Sequence, residues 1–143
     1  DPKKLNFNSY KNCTIFKPNL AEIKEGMEID FNENNIAEIE KTTTKLRKEL
    51  STQAVLLTLS EKGICINSEK EFKHIPAFKR NIIDVSGAGD TVISVASLCL
   101  ASNIDYTDLS IISCLAGGIV CEEVGVVPIN KEKLLTQALK NII

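Results

Sequence analysis

Asp84-Val85-Ser86-Gly87-Ala88-Gly89-Asp90-Thr91-Val92-Ile93-Ser94-Val95 reads as the end of a strand, a tight glycine turn and the start of a helix. Asn81-Ile82-Ile83 supplies the apolar approach. After the turn, Val92, Ile93, Val95, Ala96, Leu98, Cys99 and Leu100 make a helix apolar almost all round, so the pattern predicts a buried one. Gly87 and Gly89 flank Ala88, and glycine lets backbone turn through positive φ and approach a ligand closely. The first free N–H groups of the helix then point into the turn, where the helix dipole favours negative charge. Asp90 stands at the mouth of that anion site. A carboxylate there is electrostatically awkward unless it has work to do. That work is taking a proton from a hydroxyl that attacks a phosphoryl group. The alternative is an acid that merely answers the helix dipole.

Outward from the turn, strand and helix patterns alternate. Residues 1–11 are polar and read as loop. Cys13 to Phe16 reads as a short strand closed by Pro18. Asn19 can cap a helix running through Glu25, with Gly26 as its stop. Asn34 or Asn35 can cap the next helix, in which Ile36, Ile39, Thr43, Leu46 and Leu50 form one apolar stripe. Ala54 to Leu59 is a continuous apolar run suited to a buried parallel strand. Glu61-Lys62-Gly63 is a turn, and Ile64–Ile66 with Glu71–Ile75 suggests a hairpin around residues 67–70. Asn103 ends the helix that follows the glycine turn. Asp105 or Thr107 caps a helix carrying Leu109, Ile112, Leu115, Ala116, Ile119 and Val120, which Gly125 stops. Asn130 caps a last helix with Leu134, Leu135, Ala138, Leu139 and Ile142 inward. This alternation implies an α/β layered domain.

Composition narrows the function. The chain has 143 residues, 43% apolar and 25% charged, enough for one domain with a real core. A net charge of −2 provides no basic field for a polynucleotide. No run reaches the length of a membrane span, and no signal peptide opens the sequence. The five cysteines (Cys13, Cys65, Cys99, Cys114, Cys121) lie in apolar surroundings without a C-x-x-C, which reads as reduced thiols in the cytoplasm. His74 is the single histidine, so a pair of catalytic histidines within one chain is excluded. The glycine turn lacks the third glycine of a dinucleotide fingerprint, and no G-x-x-x-x-G-K-S/T occurs.

Asp-Val-Ser-Gly-Ala-Gly-Asp-Thr resembles the D-T-x-G-A-G-D signature of the ribokinase-like (PfkB) carbohydrate kinases. Asp1-Pro2-Lys3, Pro18-Asn19-Leu20-Ala21-Glu22, Ser60-Glu61-Lys62-Gly63 and Gly89-Asp90-Thr91-Val92-Ile93 add support in the family's order. Within the family they are most similar to the heptose-7-phosphate kinase domains of bacterial ADP-heptose synthases. Val95 departs from the signature, which usually has Ala or Gly there. The resemblance implies the C-terminal half of a three-layer α/β/α fold, with residues 1–143 forming one nucleotide-binding and catalytic portion. Family members are roughly twice as long, so the N-terminal half and its sugar contacts are expected elsewhere, and the portion alone is expected to be inactive.

The resemblance also implies roles. Asp90 becomes the catalytic base, and the N–H groups of Gly87, Ala88 and Gly89 hold the transferring phosphoryl group. Asn19 and Glu22 match an N-x-x-E motif linked to Mg2+ and phosphate, although on the residues alone they read better as a capped, exposed helix start. Thr58, Ser60 and Gly63 fall near the nucleotide, as do Gly117 and Cys114, where relatives often carry Asn. Ala116-Gly117-Gly118 either admits the adenine ring or permits close helix packing. Asp84 and Ser86, with carbonyls near Gly125, fall where relatives bind a monovalent cation such as K+. The implied partners are ATP and a sugar phosphate in the cytoplasm, with the full-length protein a homodimer. The alternatives are another ribokinase-like sugar or nucleoside kinase, and a nucleotide-binding half-domain without turnover.

Overall fold

The computed structural model describes residues 2–142. Asp1, which carries part of the motif resemblance, lies outside the described residues. The chain divides into two compact units, residues up to 60 with 64–74, and residues 61–63 with 75 onward.

The first unit is built on a mixed sheet of order β1-β2-β3-β4, with β1 at Ile15–Phe16, β2 at Ala54–Thr58, β3 at Ile64–Ser68 and β4 at Phe72–Ile75. The apolar run of β2 pairs parallel with β1, Ile15 opposite Ala54, and antiparallel with β3, Leu56 opposite Ile66. The hairpin expected around residues 67–70 forms, closed by the Ser68 amide donating to Glu71 O at 2.8 Å. Asn67 is not part of the turn: it is buried in β3, and its amide donates to Thr43 Oγ1 at 3.0 Å and Thr44 Oγ1 at 2.9 Å.

Two helices accompany this sheet, α1 at Leu20–Met27 and α2 at Ile36–Glu49. Asn35, rather than Asn34, caps α2 by accepting from the Ala37 amide. Ile39, Thr43, Leu46 and Leu50 are fully buried as the stripe predicts, whereas Ile36 at the helix start is 41% exposed. Ile39, Leu46 and Leu50 join Phe7, Phe16, Ile23, Phe31, Val55, Leu57, Leu59 and Cys65 in one apolar core. Each buried leucine there contributes roughly 2 kcal/mol.

Two expectations fail in this unit. Residues 4–9 are a 3-10 helix rather than loop, because Phe7 is buried edge-on against Phe16 with ring centroids 5.2 Å apart. Gly26 does not stop α1. It lies inside the helix, where a Cβ would fall 2.6 Å from Phe7 Cδ1, and the helix instead ends at Glu28 with φ 53°. Gly26 is therefore the floor on which the Phe7 ring rests.

The second unit is helical: α3 at Ala88–Ala101, α4 at Tyr106–Val120 and α5 at Lys131–Ile142. Asp105, not Thr107, caps α4 by accepting from the Asp108 amide at 3.0 Å. Asn130 caps α5 through the Lys133 amide at 2.9 Å. Helix α3 is not buried all round. Val92, Val95, Ala96 and Cys99 face inward and Leu98 is 69% exposed. In α5, Leu135 and Leu139 are about half exposed rather than inward. Residues 81–84 are not a strand. Ile82 and Ile83 are exposed, and the Ile83 and Asp84 amides both donate to Cys121 O, at 2.8 and 3.2 Å. Helix α4 ends at Val120, before Gly125, which lies in the following turn with φ 77°. No helix among the described residues is long and apolar enough to cross a membrane.

Candidate active site

In the second unit the glycine turn forms where the sequence puts it. Gly87 has φ 77° and ψ −1° and precedes the first residue of α3. A left-handed residue costs a side chain about 1–2 kcal/mol, and a Cβ here would also fall 3.0 Å from Val126 Cγ1. Gly87 has no side chain with which to cap α3, so the opening amides stay available to a ligand. They are not equivalent. The Ala88 amide donates to Val85 O at 3.2 Å and the Thr91 amide to Gly87 O at 3.0 Å. The amides of Gly87, Gly89 and Asp90 make no hydrogen bond to the described residues. The amide of Asp90 was missed in the sequence, where only its carboxylate drew notice. That carboxylate is exposed in the first turn of α3, not packed in hydrocarbon.

Asp84 ties the turn to the segment after α4. Its Oδ1 accepts from the Ser86 Oγ at 2.7 Å and the Ser86 amide at 2.9 Å. Its Oδ2 accepts from the Gly125 amide at 2.9 Å. Asp84, Ser86 and Gly125 are thus brought together. The Ser86 hydroxyl, then the Ser86 and Gly125 amides, hold the Asp84 carboxyl below its ordinary value. The folded chain therefore binds this proton less tightly than the unfolded chain, and the stabilisation is present at neutral pH and fades as pH falls below 3.8. An Asp84→Asn protein is expected to be less stable than wild type at pH 7 and to converge on it in acid, measured by urea unfolding across that range.

In the first unit, Asn19 and Glu22 form a capping box. The Glu22 amide donates to Asn19 Oδ1 at 2.9 Å, and the Asn19 amide to Glu22 Oε2 at 2.8 Å. Such a cap stabilises by about 1 kcal/mol, and it leaves Glu22 Oε1 unengaged by the described residues. Thr58 lies beside Asn19 across a parallel bridge, its amide donating to Pro18 O at 3.1 Å. Ser60 takes a left-handed φ of 53°.

The remaining positions lie in the second unit. Gly63 is buried at φ 94°, against the backbone of residues 75–77. Cys114 is buried, its thiol 4.0 Å from Pro76 O and pushed up to about 11 by burial. Gly117 meets Val92, where a Cβ would fall 2.7 Å from Cγ2, and Gly118 meets Arg80. The small-residue patch thus serves packing at both glycines. Arg80 went unnoticed in the sequence. The paired glycines on α4 were the one signal that something large had to be admitted.

A left-handed glycine thus opens α3, with unpaired amides beside it and an acid in the first turn. Residues 6–133 match the pfkB family carbohydrate kinase, and the chain belongs to that family. It is 33% identical over 134 residues to the bifunctional protein HldE of Nitratiruptor sp., covering 94% of this chain and 28% of that protein. To the bifunctional protein HldE of Koribacter versatilis it is 35% identical over 136 residues, covering 94% and 27%. The chain therefore spans little more than a quarter of the length of these curated relatives. Among solved structures, phosphofructokinase-2 from Escherichia coli in complex with substrates and products superposes with a TM-score of 0.89 at 14% identity, covering 99% of this chain and 46% of that one. Ribokinase from Thermotoga maritima superposes at 0.74 with 25% identity, covering 90% and 42%. The fold is that of the ribokinase-like kinases over somewhat less than half of their length.

Proposed function

We propose that the protein containing this chain transfers a phosphoryl group from ATP to a sugar hydroxyl, and that the acceptor is the anomeric hydroxyl of D-glycero-D-manno-heptose 7-phosphate. The carrying observation is the exposed Asp90 carboxylate in the first turn of α3, beside the unpaired amides of Gly89 and Asp90. Asp90 accepts the proton of the attacking hydroxyl. The amides of Gly87, Gly89 and Asp90 stabilise charge on the moving phosphoryl group, the Ala88 amide expected among them being taken by Val85 O, and each donor of this kind is worth roughly 3 kcal/mol in other enzymes. Family membership supports ATP as donor, and the resemblance to heptose kinase domains supports the acceptor.

The side chains fit the implied cations. Glu22 keeps one carboxylate oxygen unengaged, a hard donor suited to Mg2+. Asp84, kept ionised by its hydrogen bonds, lies with Ser86 and Gly125 in an oxygen-bearing turn suited to K+. Bound Mg2+ would neutralise charge on the triphosphate. Thr58, Ser60, Gly63, Cys114 and Gly117 are assigned to the nucleotide side by the same resemblance, and the setting is the cytoplasm.

The test is ATP consumption by the full-length protein against a panel of sugars, sugar phosphates and nucleosides, with phosphorylated products identified by mass. Turnover confined to heptose 7-phosphate supports the reading. Turnover with ribose, fructose phosphate or a nucleoside moves the protein elsewhere in its family. ATP binding by calorimetry with no turnover on any acceptor sinks the catalytic reading.

A further inference from the structure

We propose that Arg80 is a positioning residue for the glycine turn, acting through Glu122 and the backbone of Cys121. The inference rests on the kinase reading of that turn and adds a residue to it.

Arg80 has a side chain only 6% exposed. Its Nη1 lies 3.3 Å from Glu122 Oε1, and its Nη2 donates to Gln137 Oε1 on α5. Its stem and Nε lie over Gly118, whose missing Cβ leaves the necessary room. Glu122 is braced from its other oxygen by Lys133 at 2.8 Å. Next to Glu122 is Cys121, whose carbonyl accepts from both Ile83 and Asp84. Asp84 in turn fixes Ser86 and Gly125. Residues 80–84 and 121–125 are therefore fastened at three successive points: the Arg80 ion pair, the Cys121 carbonyl and the Asp84 carboxylate. The glycine turn begins where the third one ends.

Two observations argue that this clasp supplies geometry more than stability. Arg80 Nε is buried without a hydrogen-bond partner, a cost that an apolar residue would avoid. The Glu122 side chain is also 25% exposed, so the pair is partly solvated and is weak evidence for stability. What hydrocarbon cannot do is hold Glu122, and with it the Cys121 carbonyl, in one place. Small displacements of a reacting group cost rate out of proportion to their size.

The deciding variant is Arg80→Met in the full-length protein, which keeps the buried stem and removes the fork. Two quantities are measured: steady-state kinetics with ATP and heptose 7-phosphate, and amide hydrogen exchange of residues 83–90. The expected result is a kcat lower by about ten- to hundredfold with KM for ATP within about twofold, and exchange of that segment faster by about tenfold while β2 and β3 are unchanged. Arg80→Lys, a point charge without the fork, is expected to fall between. Unchanged exchange overturns the proposal whatever kcat does, and so does an unchanged kcat. If wild-type protein transfers no phosphoryl group, the kinase reading fails and exchange alone decides this one. If Arg80→Met does not fold, Glu122→Gln is put through the same two measurements with the same criteria.

Discussion

An Asp90→Asn protein is expected to lose about 10²–10⁴-fold in kcat, the range a positioned general base contributes. The exchange is nearly isosteric and leaves the backbone amides of the turn in place. The Asp90 side chain accepts no hydrogen bond from the described residues, so nothing else is cut when its charge goes. The fold should feel only the loss of an acid from the first turn of α3, worth about 0.3–1 kcal/mol through the helix dipole. KM for ATP is expected to stay near wild type, because the exchange leaves the unpaired amides of Gly87, Gly89 and Asp90 untouched. That split separates a base from a binding group: removing an interaction made only in the transition state lowers kcat and kcat/KM together. A kcat within about threefold of wild type, with folding intact, would remove Asp90 from the chemistry and leave it as a helix-start acid.

The features legible in the sequence are those whose causes lie within a few residues. Gly87 had to turn the chain because no side chain tolerates its φ of 77° cheaply. Asn19, Asn35, Asp105 and Asn130 cap helices because an Asx oxygen reaches the amide two or three residues ahead. Asp84 and Ser86 bond across two residues, whereas Gly125, 41 residues from Asp84, was named with them only through a family resemblance. The α/β class followed from alternating periods, which need no tertiary knowledge.

What was illegible depends on partners distant in sequence. Phe7 turns a polar opening segment into a 3-10 helix only because Gly26 and Phe16 receive its ring. Ile82 and Ile83 look like strand, but the amides of Ile83 and Asp84 share the single carbonyl of Cys121, and a strand needs a ladder. Asn67 reads as turn chemistry, yet two threonines of α2 satisfy it inside β3. Leu98, Leu135 and Leu139 show the limit of periodicity: apolar residues can mark a helix without saying how much of it is covered. Among the candidate site residues, Asn19 and Glu22 show the same limit from the other side. Their spacing is fully explained by the capping box, so any role with a cation must rest on the oxygen the box leaves over.

Gly63→Ala is expected to destabilise the protein by about 2–5 kcal/mol, a large part of the 5–15 kcal/mol that usually holds a domain together. Two terms add. Gly63 has φ 94°, and a side chain in that region costs about 1–2 kcal/mol. A Cβ there would also fall 2.5 Å from Ala77 N and 2.7 Å from Pro76 C, and closer still to the Ile75 carbonyl oxygen. All three are main-chain atoms and cannot rotate aside, so the 75–77 segment must move bodily, with an overpacking cost of about 1–3 kcal/mol. Gly125→Ala separates the two terms. Gly125 shares the left-handed backbone with φ 77°, but a Cβ there would meet nothing within 4 Å. Alanine also keeps the amide that Asp84 accepts from. It should therefore lose only the conformational part, about 1 kcal/mol. Urea unfolding of both variants at neutral pH gives the comparison directly. Equal losses would mean that residues 75–77 do not close over Gly63, leaving room at that position for a ligand; a loss at Gly63 exceeding that at Gly125 by about 2 kcal/mol would make packing reason enough for glycine there, with no nucleotide contact required to explain it.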